Sequence, residues 1–209
     1  MSPPAPTRSL LLVRHGRTDQ NAQGRLLGRA DPDLDELGRR QAAAVGDAIA
    51  SGRFGPVAAV VSSPLRRTMQ TAMAIGMPVA TDERLLELDY GEMEGMPVAE
   101  VPARTWAEWR SDVDFRPPGG ESLAELGARV RAACSEWSTS LDVSGTVVLV
   151  SHVSPVKAAV AWALGVGDQI AWRAHLDTAS FTHVVFRGDR PVLSLFNATE
   201  HLRGLVEHA

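Results

Sequence analysis

Three short segments constrain this chain more than anything else in it. Ser9 to Val13, Val57 to Val61 and Thr146 to Val150 are almost unbroken apolar runs, and each stops at polar residues. A half-exposed strand alternates apolar and polar residues. A strand that is apolar at nearly every position needs cover on both faces, the condition met in a parallel sheet between helices. The helices are present in the pattern. Leu37, Gln41, Ala44, Val45, Ala48 and Ile49 share one face, Leu65 to Ile75 forms a second helical stretch, and Val156, Ala159, Val160 and Ala163 mark a third. Strand then helix, repeated, predicts an α/β fold of three layers (α/β/α) with a mostly parallel central sheet. Ser180 to Phe186 and Pro191 to Phe196 read as two further strands joined at Gly188-Asp189. Such a hairpin gives the sheet an antiparallel edge.

Between the second and third apolar runs lies a helical insertion at about 79–141, expected near the active site. Leu123, Leu126, Val130, Cys134, Trp137 and Leu141 mark its long amphipathic helix, Pro97 to Arg110 a shorter one, and Arg116-Pro-Pro-Gly-Gly120 the break between them. Residues 1–8 read as a disordered tail and 9–209 as one domain. A chain of 209 residues can bury about 70% of its unfolded surface, enough for a real core.

The net charge of −4 provides no global positive field, so neither nucleic acid nor an anionic membrane is expected as a partner. One cysteine, Cys134, can form no internal disulfide and no thiolate metal site. No apolar stretch is long enough for a membrane span, and the run before Arg14 is too short for a signal sequence. A cytoplasmic location is expected. Lys157 is the only lysine, so no Gly-rich loop ends in Gly-Lys and P-loop phosphate binding is excluded.

In parallel α/β sheets ligands sit beyond the C-terminal strand ends. The first apolar run delivers Arg14 and His15 there, the second Arg66 or Arg67, and the third His152. Two histidines and two arginines above helix N-termini suit a dianion such as phosphate. A lone histidine at a strand end is more often structural, so the weight rests on three strand ends carrying the same chemistry.

Five blocks carry a resemblance. Arg14-His15-Gly16-Arg17-Thr18-Asp19-Gln20-Asn21, Ser62-Ser63-Pro64-Leu65-Arg66-Arg67-Thr68-Met69-Gln70-Thr71-Ala72, Leu86-Glu87-Leu88-Asp89-Tyr90-Gly91-Glu92-Met93-Glu94-Gly95, Pro118-Gly119-Gly120-Glu121-Ser122 and Val150-Ser151-His152 occur in this order. The chain resembles the histidine phosphatases of the phosphoglycerate mutase-like superfamily. That resemblance selects Arg67 over Arg66 and implies a catalytic set of His15, Glu87, His152, Arg14 and Arg67. Arg14, His15, Asn21, Arg67 and His152 would be the phosphate-binding residues, with no metal and no cofactor. It implies attack by His15, which needs a neutral imidazole, and flanking Arg14 and Arg67 should lower its pKa from near 6.5. A backbone carbonyl on the other ring nitrogen would fix the tautomer. Glu87 would serve as acid and then base, its pKa raised by Asp89, Glu92 and Glu94.

Three positions depart from the family pattern: Leu27 where a polar phosphate contact is common, Val153-Ser154 where two glycines are usual, and Arg17 where Glu or Gln is common. Ser154-Pro155 suits a helix start, with Ser154 as N-cap. Arg17 either adds charge at the pocket mouth or points to solvent. His175, His183, His201 and His208 receive no catalytic role, and Trp106, Trp109 and Trp137 read as packing residues, with Trp106 or Trp109 a candidate for the leaving-group side. The implied function is hydrolysis of a phosphomonoester through a phosphohistidine, the partner being a small phosphorylated metabolite or inorganic phosphate. The alternatives are a phosphoglycerate mutase, disfavoured by the short acidic insertion, and a catalytically idle phosphate-binding module. Oligomeric state is left open between monomer and dimer.

Overall fold

The computed structural model describes residues 8–140 and 145–205. The tail before residue 8, Leu141 and His208 lie outside these described residues. Six strands form one sheet: β1 (Arg8–Arg14), β2 (Val57–Ser62), β3 (Val79–Thr81), β4 (Gly145–Ser151), β5 (Phe181–Arg187) and β6 (Arg190–Ala198). Their spatial order is β3-β2-β4-β1-β5-β6. The first four are mutually parallel, and the β5–β6 hairpin joins antiparallel to β1. Arg8, assigned above to the tail, belongs to β1: it pairs with Gly145, and its guanidinium donates to the carbonyls of Ser138 and Gly188 and to Asp189.

The unbroken apolar runs are explained by two cores, one on each face of the sheet. Leu10 and Leu12 of β1 and Val147 and Leu149 of β4 pack into one core, while Leu11, Val13, Val148 and Val150 pack into the other. The first core is closed by α5 (Leu123–Thr139) and α6 (Val153–Leu164), the second by α2 (Glu36–Ala50) and α3 (Arg66–Met73). A fully buried Leu or Val contributes about 1.5–3 kcal/mol. A strand apolar on both faces gains that in any register, so its alignment must be set elsewhere. Polar residues at the lower end help to do so: Ser9 Oγ and Thr146 Oγ1 lie 2.7 Å apart across β1 and β4.

Helix ends follow the sequence with local corrections. Ser122 and Glu125 form a reciprocal capping box at the start of α5, and Asp35 caps α2. The region expected as one helix from Pro97 to Arg110 is divided into a 3-10 turn at Val98–Glu100 and α4 (Ala103–Ser111). Pro102 lies at the break; proline has no N–H to donate and disfavours helical geometry in the residue before it. The insertion also begins later than expected, because Val79–Thr81 pairs with β2 as an edge strand. Helix α6 starts at Val153 with His152, not Ser154, as N-cap. Pro155 is then the third helical residue, where the missing N–H still breaks no intrahelical bond. The single-turn helix α1 (Asp19–Ala22) follows the first strand end and is capped by Thr18.

Candidate active site

The β1–β4 register makes the site. Arg14 pairs with Ser151, so the next residue on each strand is a histidine, and the His15 amide donates to the Ser151 carbonyl at 2.9 Å. The two imidazoles come to rest 5.1 Å apart, ring centre to ring centre, and both are buried. The His15 Nδ1 lies 2.6 Å from the Gly16 carbonyl oxygen, which can only accept. The proton therefore sits on Nδ1, and Nε2 keeps its lone pair. The His15 pKa is held well below its usual value, first by burial and then by Arg67 and Arg14, with the Gly16 carbonyl opposing. Burial thus precedes the flanking cations expected from the sequence. The loop comes this close to α2 because Gly16 and Gly38 face each other: a Cβ on Gly16 would sit 2.5 Å from the Gly38 carbonyl oxygen.

Arg67 lies in the first turn of α3 and is fully buried. Its Nε donates to His152 Nδ1 at 3.2 Å, Nη1 to the Ala30 carbonyl at 2.7 Å and Nη2 to the Gly28 carbonyl at 2.8 Å. A guanidinium has five N–H donors, so two remain. Its pKa falls to about 10 through burial, opposed by Glu87, Asp31 and Glu94, and it stays charged at neutral pH. Arg66 turns to the surface, where it pairs with Asp33 at 2.7 Å. His152 accepts at Nδ1, so its proton is on Nε2, which lies 2.8 Å from Ser63 Oγ. Burial, followed by Arg67 and His15, keeps this ring neutral as well.

Arg14 donates from Nη1 to the Leu176 carbonyl at 2.5 Å, while its Nε is buried with no hydrogen-bond partner. An unpaired buried donor on a cation costs on the order of 1–3 kcal/mol or more, which an incoming anion would offset. Glu87 is 2% exposed; its Oε1 accepts from the Leu88 amide at 2.7 Å and the Ser154 amide at 3.2 Å. Its pKa is raised by burial, against those hydrogen bonds and the two arginines. The neighbouring carboxylates are not the cause, contrary to the sequence expectation. Glu94 is spent on the Gly28 and Arg29 amides, Asp89 on the Gly91 amide, and Glu92 is exposed. Asn21 turns its Oδ1 to the backbone and hydroxyl of Thr18, closing a capping box. One buried and one half-buried guanidinium group, two neutral imidazoles and one carboxyl therefore meet at three adjacent strand ends. The charge is suited to a dianion and one ring nitrogen is suited to attack.

Of the three departures, Leu27 is buried, and its neighbour Gly28 supplies a carbonyl to Arg67. Val153 and Ser154 are ordinary helical residues, so no glycine is required there. Arg17 neither lines the pocket mouth as a bare charge nor points to solvent: its Nε bonds Asp35 at 2.7 Å, bracing the α2 N-cap.

Other contributors went unread in the sequence. Glu94 holds the loop whose carbonyls receive Arg67. Leu176, Ala179 and Ser180 hold the end of β1 that carries His15: Leu176 through Arg14 Nη1, Ala179 by donating its amide to the His15 carbonyl at 3.0 Å, and Ser180 by accepting from the Arg14 amide at 3.2 Å. That loop is braced from behind. Asn197 accepts from the Asp177 amide at 2.7 Å and donates to its carboxylate at 2.8 Å, and His201 Nε2 lies 2.9 Å from the Ala179 carbonyl oxygen. Ala179 (φ 57°) and Asn197 (φ 51°) are the non-glycine residues with positive φ among the described residues. Strain of this kind persists where surrounding contacts over-determine the backbone.

The family model for the histidine phosphatase superfamily (branch 1) matches residues 10–199. A bifunctional protein of Mycobacterium tuberculosis is 40% identical over 205 residues, 94% of this chain and 55% of that protein. The chain thus spans about half the length of the first relatives it matches. Phosphoserine phosphatase 1 of Hydrogenobacter thermophilus is 35% identical, the match covering 92% of this chain and 93% of that one. The solved structure of a mycobacterial glucosyl-3-phosphoglycerate phosphatase superposes with a TM-score of 0.81 at 32% identity, covering 92% of this chain and all of the other (100%).

Proposed function

The chain belongs to the histidine phosphatase superfamily, branch 1, and on that premise we propose that it hydrolyses monoesters of small phosphorylated metabolites through a phosphohistidine. Relatives named as phosphoserine and glucosyl-3-phosphoglycerate phosphatases support the substrate class. The observation that carries the proposal is His15: its Nδ1 is tied to a carbonyl, its Nε2 is unprotonated, and Arg67 and Arg14 lie beside it.

The reaction runs in two displacements. His15 Nε2 forms a bond to phosphorus as the bond to the alcohol oxygen breaks, and Glu87, whose pKa is raised by burial, gives its proton to the departing oxygen. Arg14 and the two remaining donors of Arg67 hold the phosphoryl oxygens, with the side-chain Nδ2 of Asn21 and the Nε2 proton of His152, now shared with Ser63, completing the shell. Water then attacks the phosphohistidine, Glu87 takes its proton, and phosphate leaves a neutral His15. The proposal treats residues 8–209 as one catalytic domain, supported by the single six-stranded sheet, and places it in the cytoplasm in keeping with its one buried, unpaired cysteine. Among the described residues no helix is long and apolar enough to cross a membrane.

Rapid quench with labelled substrate tests the mechanism. A phosphoryl label that is acid-labile and base-stable should appear on the wild type and be lost, with turnover, in His15→Ala; a label that persists in that variant refutes it.

A further inference from the structure

Beside the Glu87 edge of the site is a cavity of about 100 Å³. Its wall is a box of aromatic rings. Trp106 stacks on Trp109 (centroids 5.6 Å apart, planes at 20°), Trp172 meets both edge-on at 5.8 and 5.7 Å, and Tyr90 meets Trp109 edge-on at 5.7 Å. The cavity adjoins the chemistry directly, since Leu88 and Ser154, whose amides hold the Glu87 carboxyl, are also lining residues. The group that protonates the leaving oxygen is therefore anchored to the wall of this box, and the alcohol part of a substrate leaves on that side.

The charge in the wall selects among possible occupants. Aromatic boxes attract cations, but Lys157 lines this one, with its Nζ donating to the Ala171 carbonyl at 2.9 Å. Its ammonium repels a cation. An anionic group would gain that one lysine while losing its hydration against a largely aromatic and aliphatic wall, next to the Glu87 carboxyl, and buried charges so weakly paired are costly. A neutral ring has no charge to desolvate on entry and gains the stacking and area terms. The indole N–H groups of Trp109 and Trp172 are buried without partners, which suits a ring whose π face or ring atoms accept.

Resting on the hydrolase reading above, we propose that the substrate of this chain is a phosphomonoester whose alcohol portion carries a flat, uncharged aromatic ring, seated in the box formed by Tyr90, Trp106, Trp109 and Trp172. Its substrate would then differ in chemical class from phosphoserine, whose leaving portion carries charged amino and carboxylate groups.

The test compares 2-phenylethyl phosphate with n-propyl phosphate, two aliphatic esters of similar leaving-group chemistry, together with phosphoserine and phosphocholine. Direct binding by calorimetry should favour 2-phenylethyl phosphate over each of the others by at least about tenfold in Kd, the scale on which apolar pockets discriminate. Where turnover occurs, kcat/KM should follow the same order. The 2-phenylethyl to n-propyl ratio should collapse towards one in Trp106→Ala, which opens the box. It should also collapse in Ala171→Leu, which fills it and serves should the first variant not fold. Equal binding of the ring-bearing and ringless esters, or preference for phosphoserine or phosphocholine, overturns the proposal. Absence of turnover with every ester, alongside the expected binding order, would instead overturn the hydrolase reading and leave the ring site supported.

Discussion

Replacing Glu87 by Gln isolates proton transfer from the rest of the mechanism. The amide oxygen of Gln can still accept from the Leu88 and Ser154 amides that now hold Oε1 at 2.7 and 3.2 Å, so the shape of the site should survive. What is lost is a proton available to the departing oxygen. General acid catalysis contributes about 10²–10⁴-fold where the leaving group is a poor one. An alkyl phosphate should therefore lose that factor in kcat/KM, whereas 4-nitrophenyl phosphate, whose leaving group needs no proton, should lose less than about tenfold. The parameter matters: in the proposed mechanism kcat/KM reports steps up to formation of the phosphoenzyme, whereas kcat also includes water attack, for which Glu87 is the proposed base. The pH dependence follows the same logic. Burial raises the Glu87 pKa, so the acid form is lost as pH rises through that raised value, and kcat/KM for the alkyl ester should fall on the alkaline side. Glu87→Gln should remove that fall. Equal losses for both esters, or an unchanged alkaline limb, would show that Glu87 is not the acid.

Glu94→Ala should release the Gly28–Ala30 loop by deleting two charge-assisted bonds to backbone amides, each worth about 1.5–3 kcal/mol. Arg67 then loses its fixed carbonyls, and steady-state kinetics should show KM raised about tenfold or more; an unchanged KM would contradict this. Asn197→Ala removes two hydrogen bonds and puts alanine at φ 51°, a loss of about 2–3 kcal/mol or roughly 4–12 °C in Tm. Asn197→Gly should recover the backbone part alone, and calorimetry giving equal Tm for the two variants would refute the strain argument. Acid should weaken the fold. His15, His152, His183 and His201 all have lowered pKa values, so the unfolded chain binds more protons once pH falls below about 6.5, and stability drops from there downward. Glu87 opposes this in part, because its raised pKa contributes stability that is present below its unfolded value and lost as pH rises through the folded one. Four groups against one predict a lower Tm at pH 5.5 than at 7.5, and a Tm that stays level or rises would sink that balance.

The layered fold was legible in the sequence because its signal is local. A strand buried on both faces must be apolar throughout, and β1, β2 and β4 fall within one residue at either end of the runs that announce them. Strand β3 was missed because three partly exposed residues at a sheet edge leave no periodic trace. The residue types of the site were legible for a different reason: three of the five motif blocks sit at the ends of β1, β2 and β4, and parallel sheets collect strand ends on one side. Pattern alone left Arg66 and Arg67 open, and the motif resemblance made the choice.

Contacts between distant parts of the chain were decided only by the tertiary structure. Arg14 finds the Leu176 carbonyl 162 residues away, and Arg67 finds His152 across 85. Neither distance leaves a mark in local composition. The cause of the raised Glu87 pKa, the Asn197–His201 brace and the gathering of Trp172 with Trp106 and Trp109 likewise depend on strand order and on the β1–β4 register. The amino-acid sequence by itself determined which side chains stand at the strand ends. Their mutual distances and protonation states came from burial and register, which are properties of the packed sheet and not of any one segment.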